Sequence, residues 1–445
     1  MGSTEDAPPV FVDDVNHDDP SEINLKASTK VKNIHIDGLS RTQNKLVTNQ
    51  LERLFDCNTF ESVLKEAHLG KLKLERLGVF AGIEVFIDVT RDNSANDSLD
   101  VYYFVKESRR LSANVGTNVG NNEGNMTVGG RINNLRGLGE TIKADVSLGT
   151  RVSSSYEFAV AKPMFYDPDK KLTIRALKAM NDFQQSCYKE TARGVACDIT
   201  IPSPIGMHIL GWEGMWRENV PAQSVPFAVR EHAGHTLKSS VKHSLISDSR
   251  DDWILPSKGN LFKHNLEFAG LGGNIRAVKS DVEINVNKEI FQDFVIAASL
   301  QAGIARPLDG KSLMINDRYF LGGPLSVRGF GMKGIGQHAE QASLGGELFW
   351  AGGLHLFTPL PFRPGAGGFG EYFRLHIFAN AGNLGNLNTD KKEFLMSPRY
   401  SFGAGVMLML GGMARLEVNY CVPKNAQPGD VINPGLQVGV GLSFL

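Results

Sequence analysis

Two segments match the spacing of a phosphate-cradling glycine loop, Gly329-Phe330-Gly331-Met332-Lys333-Gly334 and Gly365-Ala366-Gly367-Gly368-Phe369-Gly370. Dinucleotide chemistry needs a strand before such a loop, a helix after it and an acidic residue about 20 positions further on. No amphipathic helix pattern follows either segment, so neither is read as a cofactor site. The closest histidines, His232 and His235, lack the cysteine and carboxylate company of a metal set. Cys57, Cys187, Cys197 and Cys421 form no C-x-x-C pair and are read as free thiols. There is no G-x-S-x-G elbow and no P-loop lysine motif. No cofactor, no metal and no enzymatic activity are expected. What stands out is an arginine in a long loop. From Asn316 to about Gln341 the chain reads NDRYFLGGPLSVRGFGMKGIGQHAEQ between two strand patterns, with Arg318 and Arg328 among Tyr319, Phe320 and Phe330. Loops of this length are usually functional or disordered, and the aromatics argue against disorder. Two readings stand: an ordered surface loop, or a loop folded into an interior where Arg328 grips a carboxylate bidentately.

The elements that hold this loop fall into three regions. Residues 1–28 carry seven acidic side chains, one Lys and no periodicity, and read as a disordered tail. They lack the basic start and apolar run of a secretory signal and the arginines of a mitochondrial presequence. Residues 29–107 read as β-α-α-β-β. A strand over Val31–Ile36 precedes a helix over about Thr42–Phe55, and a second helix starts at the N-cap Thr59 and ends near Leu77, with Gly78 as the left-handed stop. Two strands follow, Phe80–Val89 and Leu99–Val105, joined by the polar turn Arg91–Ser98.

Residues 108–445 alternate with period two. Ala414, Leu416, Val418 and Tyr420 alternate with Arg415, Glu417 and Asn419; Leu436, Val438, Val440, Leu442 and Phe444 alternate with Gln437, Gly439, Gly441 and Ser443. No apolar run approaches the roughly 18 residues of a spanning helix. Alternation suits a soluble sandwich with its apolar face inward, or a membrane barrel with that face on lipid. Strands of about eight to eleven residues and charge-paired polar faces favour the barrel. At roughly 20 residues per strand and connection the region holds about 16 strands, too many for a common open sheet. Glycine is in excess, 48 of 445 residues, as a strand-rich chain with many turns requires. The balance of 47 Lys plus Arg against 48 Asp plus Glu leaves no excess charge for nucleic acid.

With the module, the barrel pattern and Arg328-Gly329-Phe330 in place, the chain resembles the POTRA-plus-barrel superfamily of outer-membrane assembly proteins. The acidic leader, the single module and the missing signal are similar to the core-barrel family of the mitochondrial sorting and assembly machinery. The likeness covers about residues 29–445, and its most specific part is DRYFLGGPLSVRGFG at 317–331. It implies a transmembrane β-barrel of about 16 antiparallel strands over 108–445, preceded by one small α/β POTRA-like domain over 29–107, with a long inward loop over 316–341. The family's loop motif maps onto Arg328, Gly329 and Phe330. The acidic strand residue that engages such a loop is best matched by Glu347. The family's strand Asp is replaced by Asn380 in Phe378-Ala379-Asn380-Ala381-Gly382, so a charge-assisted pair would rest on Glu347. The C-terminal β-signal maps onto Gln437, Gly439, Leu442 and Phe444.

The resemblance further implies an insertase for β-barrel precursors in the mitochondrial outer membrane, with the POTRA-like module in the intermembrane space. A weak seam between a first strand over about 111–119, with Val115, Gly116 and Val119, and a last strand over about 436–444 would open and pair with a precursor's C-terminal strand. The implied partners are β-barrel precursors, metaxin-like accessory subunits of the sorting machinery, the inner-membrane cristae-organising complex and the lipid bilayer, and not nucleic acid. A passive outer-membrane porin and a soluble β-rich binding protein are the competing readings.

Overall fold

The computed structural model describes residues 27–90, 98–120, 123–149, 153–291, 293–360, 369–411, 414–442 and 444–445. All but the last two residues of the acidic tail expected over 1–28, the turn after Thr90 and most of the second glycine segment lie outside them.

The N-terminal module runs β1 (Lys30–Asp37), α1 (Asn44–Leu51), a 3-10 turn (Glu52–Asp56), α2 (Phe60–Arg76), β2 (Phe80–Val89) and β3 (Ser98–Glu107). The first helix is shorter than its periodicity predicts. Its last turn tightens to 3-10, as helix ends commonly do, and this keeps Leu54 buried while the chain swings to the next helix. Thr59 caps α2 through a reciprocal pair, accepting from Ser62 N at 3.3 Å while Ser62 Oγ accepts from Thr59 N at 3.2 Å. Gly78 takes φ +68° where the helix stops. Gly70, an unfavourable residue inside a helix, sits where a Cβ would lie 2.7 Å from Leu51 and 3.0 Å from the Tyr103 hydroxyl. The helix gives up propensity to pack closely on α1 and the sheet. The sheet has the order β1-β3-β2, with β1 parallel and β2 antiparallel to β3. Leu46, Val47, Leu51, Val63, Leu74, Val101 and Tyr103 fill the space between helices and sheet.

The remaining strands are β4 (Leu111–Gly120), β5 (Glu123–Asn133), β6 (Thr141–Gly149), β7 (Ser154–Met164), β8 (Asp167–Phe183), β9 (Tyr188–Ser203), β10 (Gly206–Pro221), β11 (Gly234–Asp248), β12 (Gly259–Gly273), β13 (Ala277–Phe291) and β14 (Phe294–Pro307). A long insertion follows, containing the small hairpin β15 (His338–Ala339) and β16 (Ala342–Ser343). Then come β17 (Leu348–Thr358), β18 (Phe373–Gly385), β19 (Arg399–Leu410), β20 (Ala414–Lys424) and β21 (Gly435–Gly441). Among the described residues these form one sheet of 16 antiparallel strands in sequence order, the insertion falling between the paired neighbours β14 and β17.

The faces of this sheet are those of a membrane barrel. On β10 the exposed side chains are Met207, Leu210, Trp212, Trp216 and Val220, all apolar, whereas Arg217 and Asn219 are buried. The inner face is laced with ion pairs: Arg175 with Asp198 at 2.5 Å, Lys242 with Glu213 at 2.6 Å and Lys238 with Glu267 at 2.9 Å. A greasy outside and a charged inside suit lipid, not water, around the sheet. Several strands exceed the eight to eleven residues expected, β8 reaching 17. About ten tilted residues span a bilayer, so the excess stands above the hydrocarbon.

The module is fastened to one rim of the sheet. Thr42 Oγ1 accepts from Asn134 Nδ2 at 2.8 Å, and Gln43 N donates to Gly137 O at 2.9 Å. Gln50 donates to Tyr166 O in a turn where Phe165 and Tyr166 both take positive φ, and Arg76 pairs with Asp169 at 3.1 Å. Glu107, at the end of β3, gathers Ser40, Arg41 and Thr42 beneath this joint, with Thr42 Oγ1 at 2.7 Å and Arg41 Nε at 2.9 Å. Burial alone would push its carboxyl up, but the hydrogen bonds from Thr42, Arg41 and Ser40 outweigh that and hold it well below the usual carboxylate range.

Candidate functional site

The sequence places aromatic and basic residues at 316–341, and the chain turns inward at Leu313, which is buried with Ile315, Asp317, Leu321, Val327, Arg328 and Phe330. Its entry is anchored by Asp317, which accepts from Arg217 Nη1 and Nη2 at 3.1 and 2.8 Å and from Lys238 Nζ at 2.8 Å. Burial would raise the Asp317 carboxyl, but the two cations reverse this and hold it well below its ordinary range. Tyr319 donates to Asp281 Oδ1 at 2.6 Å beneath Lys279, and Arg318 Nε donates to Leu313 O at 2.9 Å. Asp317 belongs to the specific segment 317–331, but only the fold shows that it meets two wall cations.

Arg328 lies in the interior and is 0 % exposed. Its Nη2 and Nε donate to Glu417 Oε2 at 2.7 and 3.3 Å, and its Nη1 donates to Asn380 Oδ1 at 3.0 Å. The rings of Phe378 and Phe444 face the guanidinium carbon at 5.0 and 5.5 Å. Asn380 therefore meets the arginine, and Glu347 does not. Glu347 stands at the foot of β17, where its Oε2 accepts from Leu387 N at 3.1 Å. The register explains the correction: Arg328 crosses to the wall beside the last strand, where Glu417 of β20 is paired with Gly439 of β21. The alternation of Arg415, Glu417 and Asn419 carried this signal, since it marks Glu417 as an inward carboxylate next to the final strand. A second cation shares it. Arg415 Nε lies 3.1 Å from Glu417 Oε1, in ionic contact but off hydrogen-bond alignment, and its guanidinium lies over Phe444 at 4.1 Å.

Gly329 and Phe330 are held by the last hairpin. Gln437 accepts from Gly329 N and donates to Phe330 O, both at 2.9 Å, so one side-chain amide reads the loop backbone as a strand would. Asn433 N donates to Gly329 O and Gly331 N to Val431 O, both at 2.8 Å. Gly329 has φ +82°, and a Cβ there would press on Pro423 at 3.1 Å, so the close approach requires glycine.

The end of the chain departs from the expected strand over 436–444. Pairing with β20 stops at Gly441, and Leu445 N donates to Leu325 O of the loop at 3.0 Å. Leu442 lies beyond the strand, and Phe444, expected to face lipid, is 7 % exposed between the arginines and the strand. The bare faces of Gly439 and Gly441 make this possible. A Cβ at Gly439 would lie 3.0 Å from Pro324 and 3.2 Å from Phe444, and one at Gly441 would lie 3.1 Å from Leu325. These glycines seat the loop and the chain end on the inner face of β21.

The two ends of the sheet are β4 and β21, and among the described residues no ladder joins them, although their backbones approach within 8 Å. Residues 111–117 are exposed on both faces of β4. Val115 is 67 % exposed, Gly116 has nothing within 4 Å of a built Cβ, and Val119 lies in the strand with its side chain outside the described residues.

Residues 134–444 match the Omp85 superfamily domain. The chain is 42 % identical to "Sorting and assembly machinery component 50 homolog" of Xenopus tropicalis, over 100 % of this chain and 96 % of that protein. It is 41 % identical to the Homo sapiens protein of the same name, over 93 % and 90 %. Among solved structures, BamA from Haemophilus ducreyi lacking POTRA domains 1–3 aligns with a TM-score of 0.75 at 17 % identity, over 93 % of this chain and 84 % of that one, a likeness of fold. By its matched domain and its near full-length relatives, the chain belongs to the Omp85 superfamily and, within it, to the family of sorting and assembly machinery component 50.

Proposed function

We propose that this protein inserts and folds β-barrel precursors in the mitochondrial outer membrane through a lateral gate between β4 and β21. The observation that carries the reading is the seam: the two ends of a 16-stranded sheet lie side by side without a ladder among the described residues. Lipid cannot satisfy bare backbone N–H and C=O groups, so such an edge is costly until another strand pairs with it. A precursor's C-terminal strand supplies that pairing by β-augmentation, backbone bonds giving attraction and alternate side chains giving register. No covalent bond forms or breaks.

In this reading Arg328, Gly329 and Phe330 tie the inward loop to the wall through Glu417 and Asn380, and Gln437 ties the same loop to the gate strand. Gly439 seats the loop, while Phe444 joins the arginine nest instead of facing lipid. Val115, Gly116 and Val119 belong to the receiving strand. Residues 29–107 act as a POTRA-like domain in the intermembrane space, residues 1–28 as an acidic tail and residues 108–445 as the barrel. Metaxin-like accessory subunits of the sorting machinery and the cristae-organising complex of the inner membrane are the expected neighbours.

Cysteine pairs between β4 and β21 test the gate. During import into isolated mitochondria, cysteines on either strand should capture the last strand of a radiolabelled precursor. If neither strand captures any precursor, the gate is wrong. A large, stable, open conductance in planar bilayers would favour a passive porin instead.

A further inference from the structure

Four polar residues beside Arg328 form a relay, and three buried polar atoms in the same wall lack a protein partner among the described residues. Asn419 Nδ2 donates to Glu417 Oε2 at 2.9 Å, and its Oδ1 lies 3.0 Å from His376 Nδ1. His376 Nε2 lies 2.9 Å from His355 Nδ1. The relay ends at His355 Nε2, which is buried and, among the described residues, unpartnered, as are Asn380 Nδ2 and Ser299 Oγ. These three atoms converge on Gly353. A Cβ built there would lie 2.5 Å from His355 Nε2, 2.7 Å from Asn380 Nδ2 and 2.9 Å from Ser299 Oγ. Ser299, Gly353 and Asn380 are also one cross-strand row on β14, β17 and β18, with glycine in the middle place.

We propose that His355 and His376 are positioning residues for Arg328, and that their relay closes into a ring on one water bound over Gly353. Donor and acceptor roles follow from the two ends. An arginine only donates, so Asn380 must turn Oδ1 to Arg328 and Nδ2 away from it. The Glu417 carboxylate only accepts, so Asn419 gives it Nδ2 and turns Oδ1 to His376. For neutral imidazoles this makes Nδ1 the donor of His376 and leaves its Nε2 to accept from His355 Nδ1. His355 Nε2 is then an acceptor, Asn380 Nδ2 a donor and Ser299 Oγ either. One water needs about three such partners. The ring runs Arg328, Glu417, Asn419, His376, His355, water, Asn380 and back to Arg328, and it holds both acceptors of the arginine in one orientation.

The inference rests on the insertase reading only for its consequence, because loop docking is measured with no precursor present. In the full chain reconstituted into vesicles, Arg328 is fully buried while the loop is docked, so trypsin cuts after it only when the loop is released. The yield of protein uncut after Arg328 at fixed trypsin and time, scored on carbonate-resistant protein alone, reports docking. His376→Phe keeps the ring shape and removes both bonds, and should lower the yield about fivefold or more, as unpaired buried groups require. His376→Gln, which can both donate and accept, should restore most of it. Gly353→Ala, whose methyl excludes the water, should also lower it. Parental yield in the Phe variant, or equal loss in Phe and Gln, overturns the proposal. Should the Phe variant fail to insert, Ser299→Ala removes one hydroxyl without adding bulk; a two- to threefold fall supports the water and a parental yield overturns it. Lost docking with unchanged precursor assembly supports the ring and counts against the role given to the loop in insertion.

Discussion

Glu417→Gln should release the inward loop, and Arg415→Met should not. The structure puts two guanidiniums and one carboxylate in a closed nest: Arg328 bonds Glu417 through two nitrogens, and Arg415 contacts its other oxygen. Neutralising Glu417 leaves two buried cations facing one amide. Breaking a buried pair from one side costs about 3–5 kcal/mol. Glutamine keeps one acceptor for Arg328, so the low end, about 3 kcal/mol, applies. At about 1.4 kcal/mol per factor of ten, the docking equilibrium should fall about a hundredfold. Arg415→Met instead removes the cation that competes for Glu417. The Arg328 bonds survive, and besides its contact with Glu417 the losses are the Arg415 Nη1 bond to Ile254 O at 3.3 Å and the contacts over Phe357 and Phe444, none of them made to the loop. Trypsin reads the difference, because Arg328 is fully buried while docked. In protein reconstituted into vesicles, cleavage after Arg328, followed by peptide mass spectrometry, should accelerate strongly in Glu417→Gln and little in Arg415→Met. Equal acceleration in the two variants would refute the charge argument, as would a Glu417→Gln protein cut no faster than the parent.

Two further expectations concern the module. Thr59→Ala removes the side-chain half of the capping pair, the Oγ1 that accepts from Ser62 N, and should cost about 1 kcal/mol of module stability, seen as a lower urea midpoint for protease resistance of α2. Glu107→Gln should cost about 1–2 kcal/mol at pH 7 in the same assay, through weakened bonds from Ser40, Arg41 and Thr42. Because the folded carboxyl is held below its unfolded value of about 4.5, its contribution is complete above that pH and fades as pH falls toward the folded value. The gap between parent and variant should therefore narrow below about pH 4.5; a constant gap from pH 7 to pH 3 would contradict the linkage.

Much of the architecture is legible in the chain because a barrel repeats one local rule. Period-two alternation at Ala414–Tyr420 and Leu436–Val440 marks strand and face directly, and Thr59 and Gly78 mark the ends of α2. What escaped is set by register, which has no local signature. Glu347 and Glu417 are both carboxylates near a strand start on polar faces, and only the pairing of Glu417 with Gly439 brings it under Arg328. Phe444 shares the parity of the lipid-facing residues, yet it turns inward because pairing ends at Gly441 and the arginine nest offers its ring two cationic faces. Asp317 stands in the loop motif, but its anchors Arg217 and Lys238 are 79 or more residues away in sequence.

The glycine excess looks at first like turn chemistry, but its inward members do something a turn does not need. Across one row of the wall, His376, Gly405 and Asn419 are neighbours on β18, β19 and β20, and a Cβ at Gly405 would overlap Asn419. In the row of Ser299 and Asn380 the place between is Gly353, and opposite Glu417 it is Gly439. Neighbouring strands stand about 4.8 Å apart, too close for three long side chains abreast in a filled interior. Removing the middle one lets the outer two lean together, and here the leaning pairs are the histidine, amide and carboxylate groups that meet Arg328 or its partners. A glycine in this wall is thus a decision about which polar groups touch. The same bare positions on β21 let the loop and the chain end lie flat on the strand at the seam, so the feature that docks the loop also ties it to the edge proposed to open.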